Sequence, residues 1–404
     1  MTWGMEIDGD CHTLRSAGKY GRLIEVVREA VELDRVAVQR SWQYKKWCAE
    51  RWKNLFISEA VRDEAALAVA KKKYGKQSDR AAVALRFLRE TDAAFADVEM
   101  PACEFSSLRE TRFIFCPGLL NGLLPVRAFQ RALPELERDG LCQVLRADLH
   151  PLAGCESNAE HLARAIELGV GLSADRELVD EKAAQEPKNV ILFGYSKGVA
   201  DILTLLVKRP DLASRIKCIF SWAGAAGGSY IADDVYSVLS GVEEDPDLLD
   251  KAIASMAPFT KLPEIVQRRK DETEIKLALR DLTTMWRRQF MLEHERLIND
   301  LGIPIFNLSG STSAMEVPSF QFQGAMRLNK IDGNNDMQVT QDQSRIQMPM
   351  ATDLAMLHAH HWDMSYDSFP KAIRMSSPHL DHPFPKKAAL LASIQLAYEL
   401  GLAS

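Results

Sequence analysis

Asn189-Val-Ile-Leu-Phe-Gly-Tyr-Ser-Lys-Gly-Val199 opens with five uncharged residues, passes through glycine, serine and glycine, and continues into a helix-like segment. A short apolar run bounded by a turn signal predicts a buried strand over 189–193, and the apolar periodicity that follows predicts a helix over 197–208, stopped by Pro210. Between them, Gly194-Tyr-Ser-Lys-Gly198 matches the pattern G-x-S-x-G. The pentapeptide alone recurs by chance. Its weight comes from the strand before it and the helix after it, because so abrupt a turn forces the serine into a strained conformation while the flanking glycines relieve crowding. Ser196 Oγ is thereby expected at the carboxyl end of a sheet, where ligands of open α/β sheets bind. The plainer reading is an inert serine in a glycine-rich loop.

The same alternation extends in both directions. Strands are expected at 111–116, 142–148, 216–222, 303–308 and 354–358, with helices at 126–138, from a capping box at Ser157-Asn-Ala-Glu160 to about residue 168, and at 386–400. This pattern predicts an α/β fold with a mostly parallel central sheet and helices on both faces. Residues 20–95 read instead as helices. Within them, 35–53 carries six Lys/Arg, one Glu and the tryptophans Trp42, Trp47 and Trp52. Tryptophans five apart turn by about 140° per step on a helix, so they form no single membrane- or nucleic-acid-facing stripe and are expected to pack the helix onto its neighbours. Residues 230–301 have helical character without a convincing strand, including 248–257 and 274–300, and read as a helical insertion. Arg287, Arg288 and Lys261 within it are expected to be solvated.

The net charge of -6 and the pI near 5.9 argue against nucleic-acid binding. The start of the chain lacks a secretory pattern, no run approaches the length of a membrane span, and the seven scattered cysteines form no C-x-x-C pair, so a reduced, cytoplasmic setting without a disulfide framework is expected.

A serine hydroxyl needs a base and an orienting acid to become a nucleophile. Downstream lie Asp332-Gly-Asn-Asn-Asp-Met-Gln-Val339 and then Ala359-His-His-Trp-Asp363, giving the chain order serine, acid, histidine. Asp336 and His361 are the candidates; Glu316 or Asp332 is the alternative acid and His360 the alternative base. A metal site built from His358, His360 and His361 is disfavoured, since neighbours on a strand point to different faces.

The strand order, the G-x-S-x-G turn, Asn335-Asp-Met-Gln-Val339 and His360-His-Trp362 together resemble the α/β-hydrolase superfamily, particularly its lipase and esterase branches, over residues 109–404. The resemblance implies Ser196 as nucleophile, Asp336 as acid and His361 as base. It also implies an oxyanion hole from the backbone N–H groups of Leu119 and Lys197. Pro117-Gly118-Leu119 stands where many members carry His-Gly-x, so Pro117 replaces the usual histidine. The implied organisation is a helical N-terminal extension (1–108), a hydrolase core (109–229 and 302–404) and a helical cap (230–301) whose apolar residues, Val235 and Phe259 among them, line an acyl pocket. The implied activity is hydrolysis of a small-molecule or lipid-like acyl ester through an acyl-enzyme, without metal or organic cofactor. The alternatives are an acyltransferase on the same residues or a catalytically silent binding protein.

Overall fold

The structure is a computed structural model and describes residues 2–240, 273–377 and 379–404. The expected helix at 248–257, with Phe259 and Lys261, lies outside the described residues.

Eight strands form one sheet: β1 (Thr111–Cys116), β2 (Val144–Arg146), β3 (Gly171–Ser173), β4 (Leu178–Val179), β5 (Asn189–Tyr195), β6 (Ile216–Trp222), β7 (Ile305–Gly310) and β8 (Ala351–Leu357). Their order is β4-β3-β2-β1-β5-β6-β7-β8, parallel from β2 to β8, with β3 and β4 added antiparallel at one edge. The central strands are buried on both faces, which is why they read as continuous apolar runs rather than as alternating ones.

Successive side chains still divide between two cores. On one face, Phe113, Phe193, Phe220 and Phe306 form an aromatic row, with neighbouring ring centroids 5.4, 6.2 and 5.2 Å apart. This core also contains Trp52 and Phe56 of helix Trp42–Arg62 and Leu390 and Ile394 of helix Lys386–Glu399. Ile114, Val190, Leu192 and Ile219 face the opposite way and share their core with Leu162 of helix Cys155–Leu168 and Ile202 of helix Lys197–Lys208.

The N-terminal helices are thus part of the sheet's own packing. Trp47 and Trp52 are fully buried, whereas Trp42 is 70% exposed. Trp52 Nε1 donates to Ser393 Oγ at 3.0 Å. Beside it, Arg51 is completely buried, forms an ion pair with Glu399 and donates to the Pro101 carbonyl at 2.7 Å. A buried pair of this kind tolerates loss of one partner poorly, because the other charge is left uncompensated.

Several boundaries differ from expectation for local reasons. The 126–138 helix is confined to Ala132–Arg138, since Phe129 just before it has a left-handed φ of 51° and Ala128 bridges to Tyr366. The capping box does not form: the helix begins at Cys155, and Ser157 Oγ donates to Glu274 Oε2 at 2.8 Å. The N–H groups of Gly154 and Cys155 are taken instead by the carboxylates of Glu274 (3.0 Å) and Asp281 (2.7 Å). Two carboxylates distant in sequence therefore do the work expected of a local cap. The 274–300 helix is divided into Ile275–Arg280 and Thr284–Asp300, and Thr283 caps the second.

Candidate active site

β5 ends at Tyr195 and helix Lys197–Lys208 begins two residues later, leaving Ser196 alone between them at φ 56°, ψ -121°. Packing holds it there. Its N–H donates to the Trp222 carbonyl at 3.1 Å, and its own carbonyl accepts from Ala225 at 3.1 Å, so the end of β6 and the small-residue loop after it grip the turn on both sides. A Cβ on Gly198 would stand 2.2 Å from the Cys116 carbonyl oxygen, and one on Gly118 would stand 2.8 Å from Ser196 Cβ. The first glycine lets the helix start against β1; the second lets the 117–122 loop run directly beside the serine. Leu120 in that loop has a φ of 61°.

Ser196 Oγ lies 2.9 Å from His361 Nε2, and His361 Nδ1 lies 2.7 Å from Asp336 Oδ2. Both partners are buried. The other Asp336 oxygen accepts the N–H groups of Gln338 (3.0 Å) and Val339 (2.8 Å), and the His361 N–H donates to the Asp336 carbonyl at 2.8 Å. The Asp332–Val339 turn thus holds the carboxylate from behind and anchors the histidine backbone as well. Tyr195 packs its ring 5.1 Å from the imidazole and donates its hydroxyl to the His361 carbonyl at 3.2 Å.

The alternative groups have other partners. Glu316 Oε2 lies 3.0 Å from His358 Nε2, and Asp332 Oδ1 accepts the Asn334 N–H at 2.8 Å. His360 uses both ring nitrogens: Nδ1 accepts the Asp363 N–H at 3.1 Å, and Nε2 donates to the His379 carbonyl at 2.9 Å. Burial lowers its pKa, as it does that of His358. Among the described residues no three His, Cys, Asp or Glu side chains are grouped to hold a metal ion.

The sequence analysis gave the Lys197 side chain no role. It is 1% exposed, its Nζ lies 2.6 Å from Asp201 Oδ1, and Asp201 Oδ2 in turn accepts from Asn158 Nδ2 at 3.1 Å. Burial lowers the ammonium pKa, but the carboxylate outweighs it and the net shift is upward. The i, i+4 spacing was visible, yet such a pair normally reads as a solvated surface bridge. The signal that distinguishes this one is the unbroken apolar or small character of 198–203 around it. Arg287 likewise departs from expectation: it is 1% exposed and its Nε donates to the Ala226 carbonyl at 2.9 Å.

A cavity of about 120 Å³ opens over Ser196 and His361. Its walls include Leu119, Leu124, Ile231, Val235, Leu279 and Leu282, and among the described residues no Asp, Glu, Lys or Arg lines it. The site therefore offers an activatable hydroxyl beside an imidazole at the floor of an apolar pocket.

Solved structures provide an independent comparison. The chain is similar to a metagenomic carboxyl esterase at a TM-score of 0.59 and 22% identity, over 82% of this chain and 90% of that one. The chain has the α/β-hydrolase fold. A weaker likeness is to a Bacillus licheniformis lipase in its mature form (TM-score 0.45, 21% identity, 65% of this chain and 89% of that one). No protein-family model and no curated protein matches the sequence. Within the α/β-hydrolase sheet, Ser196 stands at the carboxyl end of β5, and the 117–122 loop reaches it from the same end of β1.

Proposed function

We propose that this protein is a serine hydrolase that cleaves carboxylic esters with an apolar acyl group through an acyl-enzyme on Ser196. The observation that carries the reading is the position of His361, with one ring nitrogen 2.9 Å from Ser196 Oγ and the other 2.7 Å from Asp336. That is the geometry a general base and its orienting acid require.

In the first half-reaction Nε2 removes the Ser196 proton as Oγ attacks the acyl carbonyl, and Asp336 stabilises the imidazolium that forms. The carbonyl electron pair moves to oxygen. The N–H groups of Leu119 and Lys197 are the proposed oxyanion donors; Lys197 is the first residue of its helix and has no carbonyl one turn back to occupy it. Each such donor contributes roughly 3 kcal/mol in comparable sites. The imidazolium then returns its proton to the departing alkoxide. Water enters, loses a proton to His361, attacks the acyl carbon, and leaves as the carboxylic acid with Ser196 protonated again.

The cavity's apolar walls suit an uncharged acyl chain. In the same proposal, 109–229 and 302–404 form the catalytic core, 230–301 caps the site, and 1–108 braces the opposite side of the sheet. Hydrolysis of p-nitrophenyl butyrate tests this reading. The wild type is expected to turn it over and Ser196→Ala to lose at least about 10³-fold in kcat. Equal rates for the two proteins would overturn it.

A further inference from the structure

The 117–122 loop borders a second cavity, of about 190 Å³, whose lining includes Arg127, Arg146 and Arg176 together with Asn121 and Asp148. Arg146 is the unusual member. It is 4% exposed and lies with its guanidinium 5.6 Å from the Phe115 ring centroid. It donates to the carbonyls of Ala174 (3.0 Å), Ala128 (3.0 Å) and Phe129 (2.9 Å). All three acceptors are neutral, and no carboxylate forms an ion pair with Arg146 among the described residues. A guanidinium has five N–H donors, so two remain beyond these bonds.

Burying a cation without a counter-charge is costly, and here the cost is visible. Burial pulls the Arg146 pKa down to about 9, and the charges of Arg176 and Arg127 pull in the same direction against Asp175. Arg176 sits on the turn between β3 and β4 at a left-handed φ of 75°, a conformation that disfavours a long side chain. Three guanidiniums against the single Asp148 carboxylate leave the cavity lining with an excess of positive charge. Asn121 lines the same space, and its side-chain oxygen is buried without a partner among the described residues. With the amide turned over, it presents N–H donors there instead.

We propose that this cavity binds a small oxyanion, phosphate or carboxylate, bridged by Arg127 and Arg176 above the buried charge of Arg146. Guanidinium forks match the paired oxygens of both anions, which gives the site its chemical class. Anion binding here is independent of ester hydrolysis at Ser196.

The test follows thermal unfolding of the full chain against inorganic phosphate and, separately, acetate, with sodium chloride at matched ionic strength as reference. The wild type is expected to show a saturable rise in Tm with at least one of the two anions beyond that in chloride, and which anion responds identifies the source. Arg176→Gln is expected to weaken that binding by about tenfold or more. Arg209→Gln, which alters an arginine outside the cavity, is expected to leave it unchanged. Circular dichroism matching that of the wild type keeps a folding defect in Arg176→Gln from imitating the result, and Arg127→Gln replaces it if that variant does not fold. No response beyond chloride, or an undiminished response in the folded cavity variant, would overturn the proposal.

Discussion

At the scale of single residues, the site depends on a few side chains with no freedom to move. Asp336 has one oxygen on His361 and the other on two backbone N–H groups, so it orients the imidazole and stabilises the 336–339 turn together. Asparagine in its place can keep the turn, since its amide oxygen still accepts, while its NH₂ favours the wrong tautomer of His361. Asp336→Asn is therefore expected to fold normally by circular dichroism and to lose roughly 10³- to 10⁴-fold in kcat with little change in KM. A loss below about tenfold would mean that another group orients the histidine. Lys197 belongs to this scale as well: its buried ion pair ties the first turn of its helix to Asp201 and, through Asn158, to the helix beginning at Cys155.

At the scale of elements, what the sequence revealed depended on whether the determining forces were local. β1 and β6 have the limits their apolar runs imply, and the Ser196 turn was readable because strand, glycines and helix are contiguous. The β3–β4 hairpin was not readable. Its strands have three and two residues, too few for any periodic signal, and it exists because β2 offers an open edge. The start of helix Cys155–Leu168 was misplaced because Glu274 and Asp281 satisfy its first N–H groups from more than a hundred residues away. The candidate site was legible as residue types in chain order. The pairing of His361 rather than His360 with Ser196 was not, because adjacent histidines differ only in what surrounds them.

At the scale of the whole molecule, the C-terminal region closes over the aromatic face of the sheet and buries titratable groups there. His360 and His382 stack edge to face with ring centroids 5.4 Å apart. Burial drives both pKa values down, that of His382 well below the usual imidazole range, with His360 and Lys386 adding to the effect. His382 Nδ1 donates to the Asp367 carbonyl at 3.1 Å, and its Nε2 is buried without a partner among the described residues. Both rings are therefore neutral in the folded protein and take up protons more readily once unfolded. Their contribution to stability is fully present above the unfolded pKa of about 6.5 and is lost as pH falls from there toward the folded values, by up to about 1.4 kcal/mol per pH unit for each group. Tm is expected to fall steeply between pH 7 and pH 5, and less steeply in His382→Gln. Equal slopes for the two proteins would assign the acid sensitivity elsewhere.

The central claim is that Ser196 is a nucleophile activated by His361. Its most direct measurement is covalent labelling with a fluorophosphonate, with the modified residue located by peptide mass spectrometry. The account predicts one adduct per chain, on Ser196, absent in Ser196→Ala and strongly slowed in His361→Ala. No adduct on the wild type, or an adduct that persists in Ser196→Ala, would contradict it.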